Sequence, residues 1–208
     1  MDAIVHRASG TVRKKQIKKA TLEIISEEGL KKLSTKNLAG HVHLSEGAIF
    51  RHFHSKNDII LSIFADVKED LLKSLRNIAE KQTPPEKRLQ EFMSFHINYL
   101  KVNNGVTILL FTEAAYQNNE LLKIQLNEFF WLIKQYFGKI IHDGIAVGLW
   151  DSALSVDNIS SLYVGIPITM NIEMNLVPET FSYDNFCSQM FMLILRLLVC
   201  PENRKEYK

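Results

Sequence analysis

The apolar residues of this chain recur at helical spacing almost from its start. From Thr11 onward, Ile17, Ala20, Ile24 and Ile25 fall on one face and Lys14, Lys15, Lys18 and Lys19 mostly on the other, which predicts an amphipathic helix. It is expected to end at Gly29, since glycine tolerates the left-handed backbone that closes a helix. Ser34 reads as the N-cap of a short second helix, Thr35 to about His41, with Leu38, Ala39 and Val42 turned inward. A break at His43-Leu44 precedes a second cap, Ser45, and Glu46 suits the positive end of the helix it starts. In that third helix Ile49 and Phe53, four apart, share the inner face, leaving Gly47, Ala48, Arg51 and His52 to face outward. The helix is expected to end near His54, with Ser55-Lys56-Asn57-Asp58 as a connector.

Beyond the connector the pattern lengthens. Ile59 to about Gln82 is amphipathic, and Thr83-Pro84-Pro85 stops it. Further helices are expected over Glu86 to about Val102, Val106–Tyr116, Leu121–His142 (ending around Asp143-Gly144), Val156–Met174 and Tyr183–Val199. Pro167 falls inside one of them and predicts a kink that frees a carbonyl near Tyr163. The last helix has two apolar seams, Phe186, Met190, Leu193 and Leu197 on one and Cys187, Phe191, Ile194 and Leu198 on the other. A helix apolar on both sides needs two covers, its own domain and a partner subunit. With no alternating strand and no internal repeat, the pattern predicts an all-α protein of about nine helices.

Composition narrows the partners. A hydrophobic share of 46% suffices for a buried core, and the net charge of +2 hides an asymmetry. Residues 1–58 hold eleven bases against six acids, or +5, while residues 59–208 hold fourteen against seventeen, or −3. Such a division suits a front segment that binds a polyanion and a back segment that does not. Two cysteines, Cys187 and Cys200, are too few for a disulfide framework and point to a reduced, cytoplasmic setting. Neither a secretory leader nor a run of ~20 apolar residues is found, so no membrane partner is expected.

The most specific stretch is Ser45-Glu46-Gly47-Ala48-Ile49-Phe50-Arg51-His52-Phe53 followed by Ser55-Lys56. Together with Ile17, Ala20, Glu28-Gly29, Ser34-Thr35 and Leu38-Ala39, it resembles the N-terminal domain of the tetracycline-repressor (TetR) family of bacterial transcription regulators. The resemblance runs from Arg13 to Ile60; the rest of the chain is similar only in helix number and length. It implies a helix-turn-helix DNA-binding domain over residues 1–58 and a helical ligand-binding and dimerisation domain over 59–208. It also implies roles. Ser34, Thr35 and Lys36 would meet the sugar-phosphate chain where the second helix crosses it, and Arg51, His52 and Lys56 would hold the backbone. The first turn of the third helix would lie in the major groove, with Gly47 and Ala48 permitting close approach, Ser45 offering its hydroxyl to a phosphate, and Glu46 either facing a base donor or only favouring the helix start. Phe50 stands where many relatives have tyrosine, and His43 where many have glycine, a position asking for left-handed backbone that histidine tolerates at some cost.

The resemblance further implies a double-stranded operator of palindromic form, a homodimer formed by the last two helices through Phe186, Met190, Leu193 and Leu197, and a small, mostly apolar effector that releases a repressor. His96, Tyr99, Phe111, Glu113, Tyr116, Phe130, Trp131, Tyr163 and Met170 are the candidate pocket residues. No cofactor or metal is expected: His41-x-His43 and His52-x-His54 place their rings on different sides of a helix, and no cysteine or carboxylate set joins them. No catalytic residue is assigned, because no GxSxG elbow is present and Asp143 beside His142 reads as a helix end. The competing reading is a sensing or interaction module that acts through protein partners, with weakened DNA recognition.

Overall fold

The structure is a computed structural model and describes residues 9–103, 120–177 and 179–199. The expected helix Val106–Tyr116, with Phe111, Glu113 and Tyr116, lies outside the described residues, as does Cys200. Among the described residues every regular element is a helix. They group into two compact units, one reaching Val67 and including Asn103 and residues 120–122, the other comprising Lys68–Val102 and everything from Lys123 onward. The contact boundary thus falls at Val67–Lys68, nine residues after the Asp58–Ile59 boundary expected from pattern, because α4 (Lys56–Val67) packs on α1 (Gly10–Glu28).

In the first unit, α1 starts at Ser9, whose hydroxyl accepts from Val12 N, and ends at Gly29, where φ is 86°. That backbone is open to glycine and strained for other residues. A short 3-10 turn, Leu30–Lys32, leads to α2 (Thr35–His41) and α3 (Glu46–Phe50). The four helices close over Ile17, Ile24, Leu38, Ile49, Ile60 and Phe64, each at most 2% exposed. Thr21, also buried, donates its hydroxyl to Ile17 O at 2.9 Å and so leaves no unmet group.

Two expectations for this unit change. The third helix ends at Phe50, and Arg51-His52 form a turn held by Phe53 N donating to Ile49 O. Ser55 to Asp58 are the start of α4 and not a connector: Asp58 N donates to Ser55 Oγ at 3.1 Å while Asp58 Oδ2 accepts from His54 N at 3.0 Å. This reciprocal cap satisfies two donors that the helix start would otherwise leave unmet.

In the second unit the helical path expected to run unbroken to Gln82 contains a π-turn, Lys68–Leu72, before α5 (Lys73–Glu80). The Thr83-Pro84-Pro85 stop is present, and Pro85 becomes the first residue of α6 (Pro85–Val102), where a missing N–H costs nothing. Then come α7 (Glu120–Ala146), which belongs to this unit from Lys123 onward, α8 (Val156–Leu176) and α9 (Tyr183–Leu198). The expected stop at Asp143-Gly144 is not one, since α7 continues to Ala146. Gly144 serves packing: a Cβ there would lie 2.0 Å from Cε3 of Trp150, whose ring covers it. The reversal is made by Gly148, at φ 72°. Pro167 sits within α8 as expected. The unit's centre is aromatic, with Phe137 stacked on Tyr163 at 4.2 Å and Phe92 set against both rings.

Candidate nucleic-acid interface

The geometry of α2 and α3 follows from capping and from one brace. Ser34 Oγ accepts from Asn37 N at 3.1 Å and Ser45 Oγ from Ala48 N at 3.2 Å, so each helix begins where a hydroxyl meets its first free donors. Glu28, at the end of α1, accepts from the side chain of Asn37 at 3.2 Å and lies 2.8 Å from His41 Nε2. Both ends of α2 are thereby tied to α1. Periodicity and motif place Glu28 only at the end of α1 and give Asn37 no role; the contact between them is visible only in the fold.

The turn between the helices passes through His43 at φ 51°, the non-glycine positive φ among the described residues. Leu44 N donates to Ala39 O at 2.9 Å and holds the reversal. The left-handed backbone expected from the glycine of many relatives is therefore present with histidine in it, at the steric cost that a Cβ brings there.

Ile49 and Phe53 anchor α3 to the core, at 1% and 5% exposure, and Lys14 Nζ stands 5.5 Å from the Phe53 ring centre. With that face inward, Ser45, Glu46, Gly47, Phe50 and Arg51 are exposed and Ala48 and His52 half-buried. Ser34, Lys36 and Lys56 are exposed and Thr35 half-buried. A Cβ added at Gly47 would meet no atom within 4 Å, so nothing inside the chain requires the glycine. A cleft of about 260 Å³ is rimmed by Ser34, Thr35, Phe50, Ser55 and Lys56, which brings the starts of α2 and α4 beside the end of α3. All eleven sequence-predicted DNA contacts lie in these three helices and the turns beside them.

The candidate pocket residues of the second unit are not gathered in the same way. His96 and Tyr163 are buried and bonded to each other, Nδ1 to hydroxyl at 2.8 Å. Burial pushes the His96 ring down to about 4, leaving it neutral at pH 7, and pushes the Tyr163 hydroxyl well above its ordinary range. Met170 is buried, and Tyr99 and Phe130 are half-buried. Trp131 is 56% exposed, on the outer face of α7 with Ile124 one heptad earlier. On the expected dimer seam Leu193 is 47% exposed and Met190 and Leu197 are half-buried, but Phe186 is buried against Phe181 of its own chain, ring centres 5.5 Å apart. The nearby face of α8 adds the exposed Leu162, Ile172 and Leu176. Among the described residues no group of three or more His, Cys, Asp or Glu is placed to hold a metal, and no helix is long and apolar enough to cross a membrane.

Comparison with known proteins places this geometry. Over 132 residues the chain is 27% identical to the nucleoid occlusion factor SlmA of Aliivibrio fischeri (strain ATCC 700601 / ES114), covering 63% of this chain and 67% of that protein. The SlmA of Vibrio cholerae matches to the same extent. Among solved structures, a TetR transcription regulator from Haloarcula marismortui superposes with TM-score 0.73 at 15% identity, over 91% of this chain and 100% of that one. The transcriptional regulator FadR from Bacillus subtilis, solved in complex with stearoyl-CoA, superposes with TM-score 0.72 at 19% identity, over 87% and 97%. These structural likenesses establish the fold. The family model for bacterial regulatory proteins of the tetR family matches residues 17–63, which contain α2, the His43 turn, α3 and the capped start of α4; this segment of the chain is the family's helix-turn-helix domain.

Proposed function

We propose that the protein is a homodimeric, cytoplasmic repressor that holds a palindromic operator and lets it go when a small, mostly apolar molecule binds the helical domain. In this reading Gly47 and Ala48 approach the base edges and Glu46 faces them, with Ser45 at the mouth of the groove. Ser34, Thr35, Lys36, Arg51, His52 and Lys56 hold the phosphate chain, and Phe50 packs on a sugar. The observation that carries the reading is Gly47: it is exposed on α3, and the chain's own packing gives no reason for its lacking a side chain. Two α3 helices in one dimer would read half-sites about one helical turn apart. An effector acts only to the extent that it binds one conformational state more tightly than the other.

The test is fluorescence anisotropy with the DNA upstream of the gene, against random competitor at several salt concentrations. Lys36, Arg51 and Lys56 from two protomers make six phosphate partners, so log K should fall with log salt at a slope of about −5. Equal affinity for operator and random DNA would overturn the reading.

A second reading, action through a protein partner with weakened DNA recognition, is favoured by the likeness to proteins named nucleoid occlusion factors and by Phe50, 46% exposed with no hydroxyl to offer a phosphate. It predicts weak DNA binding that Phe50→Tyr strengthens.

A further inference from the structure

Arg88, in the first turns of α6, is a cation with a side chain only 6% exposed. One of its nitrogens carries the visible contacts: Nη1 donates to Ala79 O at 2.7 Å and to Asp143 Oδ2 at 2.8 Å. Nε is buried and has no partner, and the same is true of the hydroxyl of Thr83 in the turn before α6. A guanidinium presents its donors as a rigid fork, and Nε with Nη2 forms the edge that matches two oxygens of a carboxylate or phosphate. That edge is the part of Arg88 its own chain does not use.

Thr83 and Arg88 line a pocket of about 400 Å³, together with Gln82, Lys139, Asp143 and Val147. Its charges do not cancel. Asp143 is shared by Arg88 and by Lys139, whose Nζ stands 3.0 Å from Oδ2, so two cations face one carboxylate. Burial pushes the Asp143 carboxyl up, but the hydrogen bonds from Arg88 and Lys139 outweigh it and hold the group below its usual value, fully ionised at neutral pH. At the rim, Glu80 is taken by Arg76 and Lys81 by Glu91. One negative charge is therefore missing from the cluster. Buried donors left unmet are rare in proteins and costly, and two in one wall call for an acceptor.

We propose that this pocket binds a small oxyanion, a carboxylate or phosphate group gripped side-on by Nε and Nη2 of Arg88, with the Thr83 hydroxyl donating to it and Lys139 at the mouth. Both inner atoms are closed to solvent, so seating the anion takes a shift of the Thr83 side chain. The site is independent of the DNA reading and lies wholly within the second unit.

The experiment uses the full chain labelled with nitrogen-15, following arginine Nε–Hε resonances while sodium phosphate, and separately sodium acetate, is titrated at ionic strength held constant with sodium chloride. The Arg88 signal is identified by its loss in Arg88→Lys or, should that variant not fold, by its displacement in Thr83→Val. The expected result is a saturable shift of that one resonance with phosphate or acetate, the tighter of the two naming the class. The midpoint should rise about fivefold or more in both Thr83→Val and Lys139→Gln, each losing one donor to the anion. No saturable shift up to tens of millimolar of either salt, or a shift unchanged in both variants, would overturn the proposal and leave Arg88 as a structural arginine capping α5.

Discussion

His96 Nδ1 lies 2.8 Å from the Tyr163 hydroxyl, and both side chains are sealed inside the helical unit. Burial lowers the ring to about 4 and so keeps it neutral, and the neutral ring and the phenol meet each other's polar group through this one hydrogen bond.

Folding should therefore be pH-dependent through His96. The folded ring titrates near 4 and the unfolded one near 6.5, so the unfolded chain binds the extra proton first. This contribution is whole above pH 6.5 and is lost as pH falls toward 4, by about 3 kcal/mol in all. Urea unfolding at pH 7, 5.5 and 4 measures it. His96→Gln should be less stable at pH 7 and lose less on acidification; an equal acid slope in both proteins would assign the effect elsewhere.

Gly47 separates fold from function in the first unit. Since a Cβ there meets no atom within 4 Å, Gly47→Leu should fold normally, with stability unchanged or raised by up to about 1 kcal/mol as helix propensity improves. Binding should still fall by a hundredfold or more, because the side chain stands where α3 must approach the bases. Thermal melting and anisotropy on one preparation read both quantities.

Glu28 links the end of α1 to α2 through Asn37 and His41. Both contacts are at the surface, so Glu28→Ala should cost only about 1 kcal/mol of stability. It should nevertheless weaken operator binding several-fold, by loosening the helix that presents Ser34, Thr35 and Lys36. Asn37→Ala should act in the same direction, and the double variant should show less than the sum of the two.

The first unit was the more legible because its determinants are local. Ser34 and Ser45 lie three residues from the donors they cap, and the face of α3 is set by Ile49 and Phe53, four apart. Ser55 is ambiguous for a local reason also: Ser-Lys-Asn-Asp suits a connector as well as a capping box, and the apolar run that decides between them begins only at Ile59. In the second unit the deciding partners are remote. Periodicity shows that α7 has an apolar face, but not that Trp131 lies off it, nor that His96 meets Tyr163 across 67 positions. Gly144 looked like a helix end because the Trp150 ring that demands a glycine returns over it only after the Gly148 reversal.

That close approach gives a direct test. Gly144→Ala forces a methyl into the space of the Trp150 ring and should cost about 1–3 kcal/mol of overpacking. Trp150 is 3% exposed and Trp131 56%, so in a Trp131→Phe background the remaining tryptophan emission reports the buried ring. It should shift to the red in Gly144→Ala, and operator binding at temperatures well below the melt should be nearly unchanged.

Phe186 and Leu193 divide the last helix between two jobs. Phe186 is 8% exposed and packs on Phe181 of its own chain, whereas Leu193 is 47% exposed, and Leu162, Ile172 and Leu176 are exposed on α8, the helix that packs against this one. If the dimer forms on this face, Leu193→Glu places a charge where the second copy must sit, while leaving the core intact. Sedimentation should show a folded monomer at concentrations where the parent is a dimer, with operator affinity reduced by a hundredfold or more, since each monomer reads one half-site. Phe186→Ala should do the opposite: a loss of about 3–5 kcal/mol in folding stability with dimerisation retained in the folded fraction. A Leu193→Glu protein that remains dimeric would move the interface to another surface, and the exposed Trp131 and Ile124 of α7 would be the next to carry the same charge substitution.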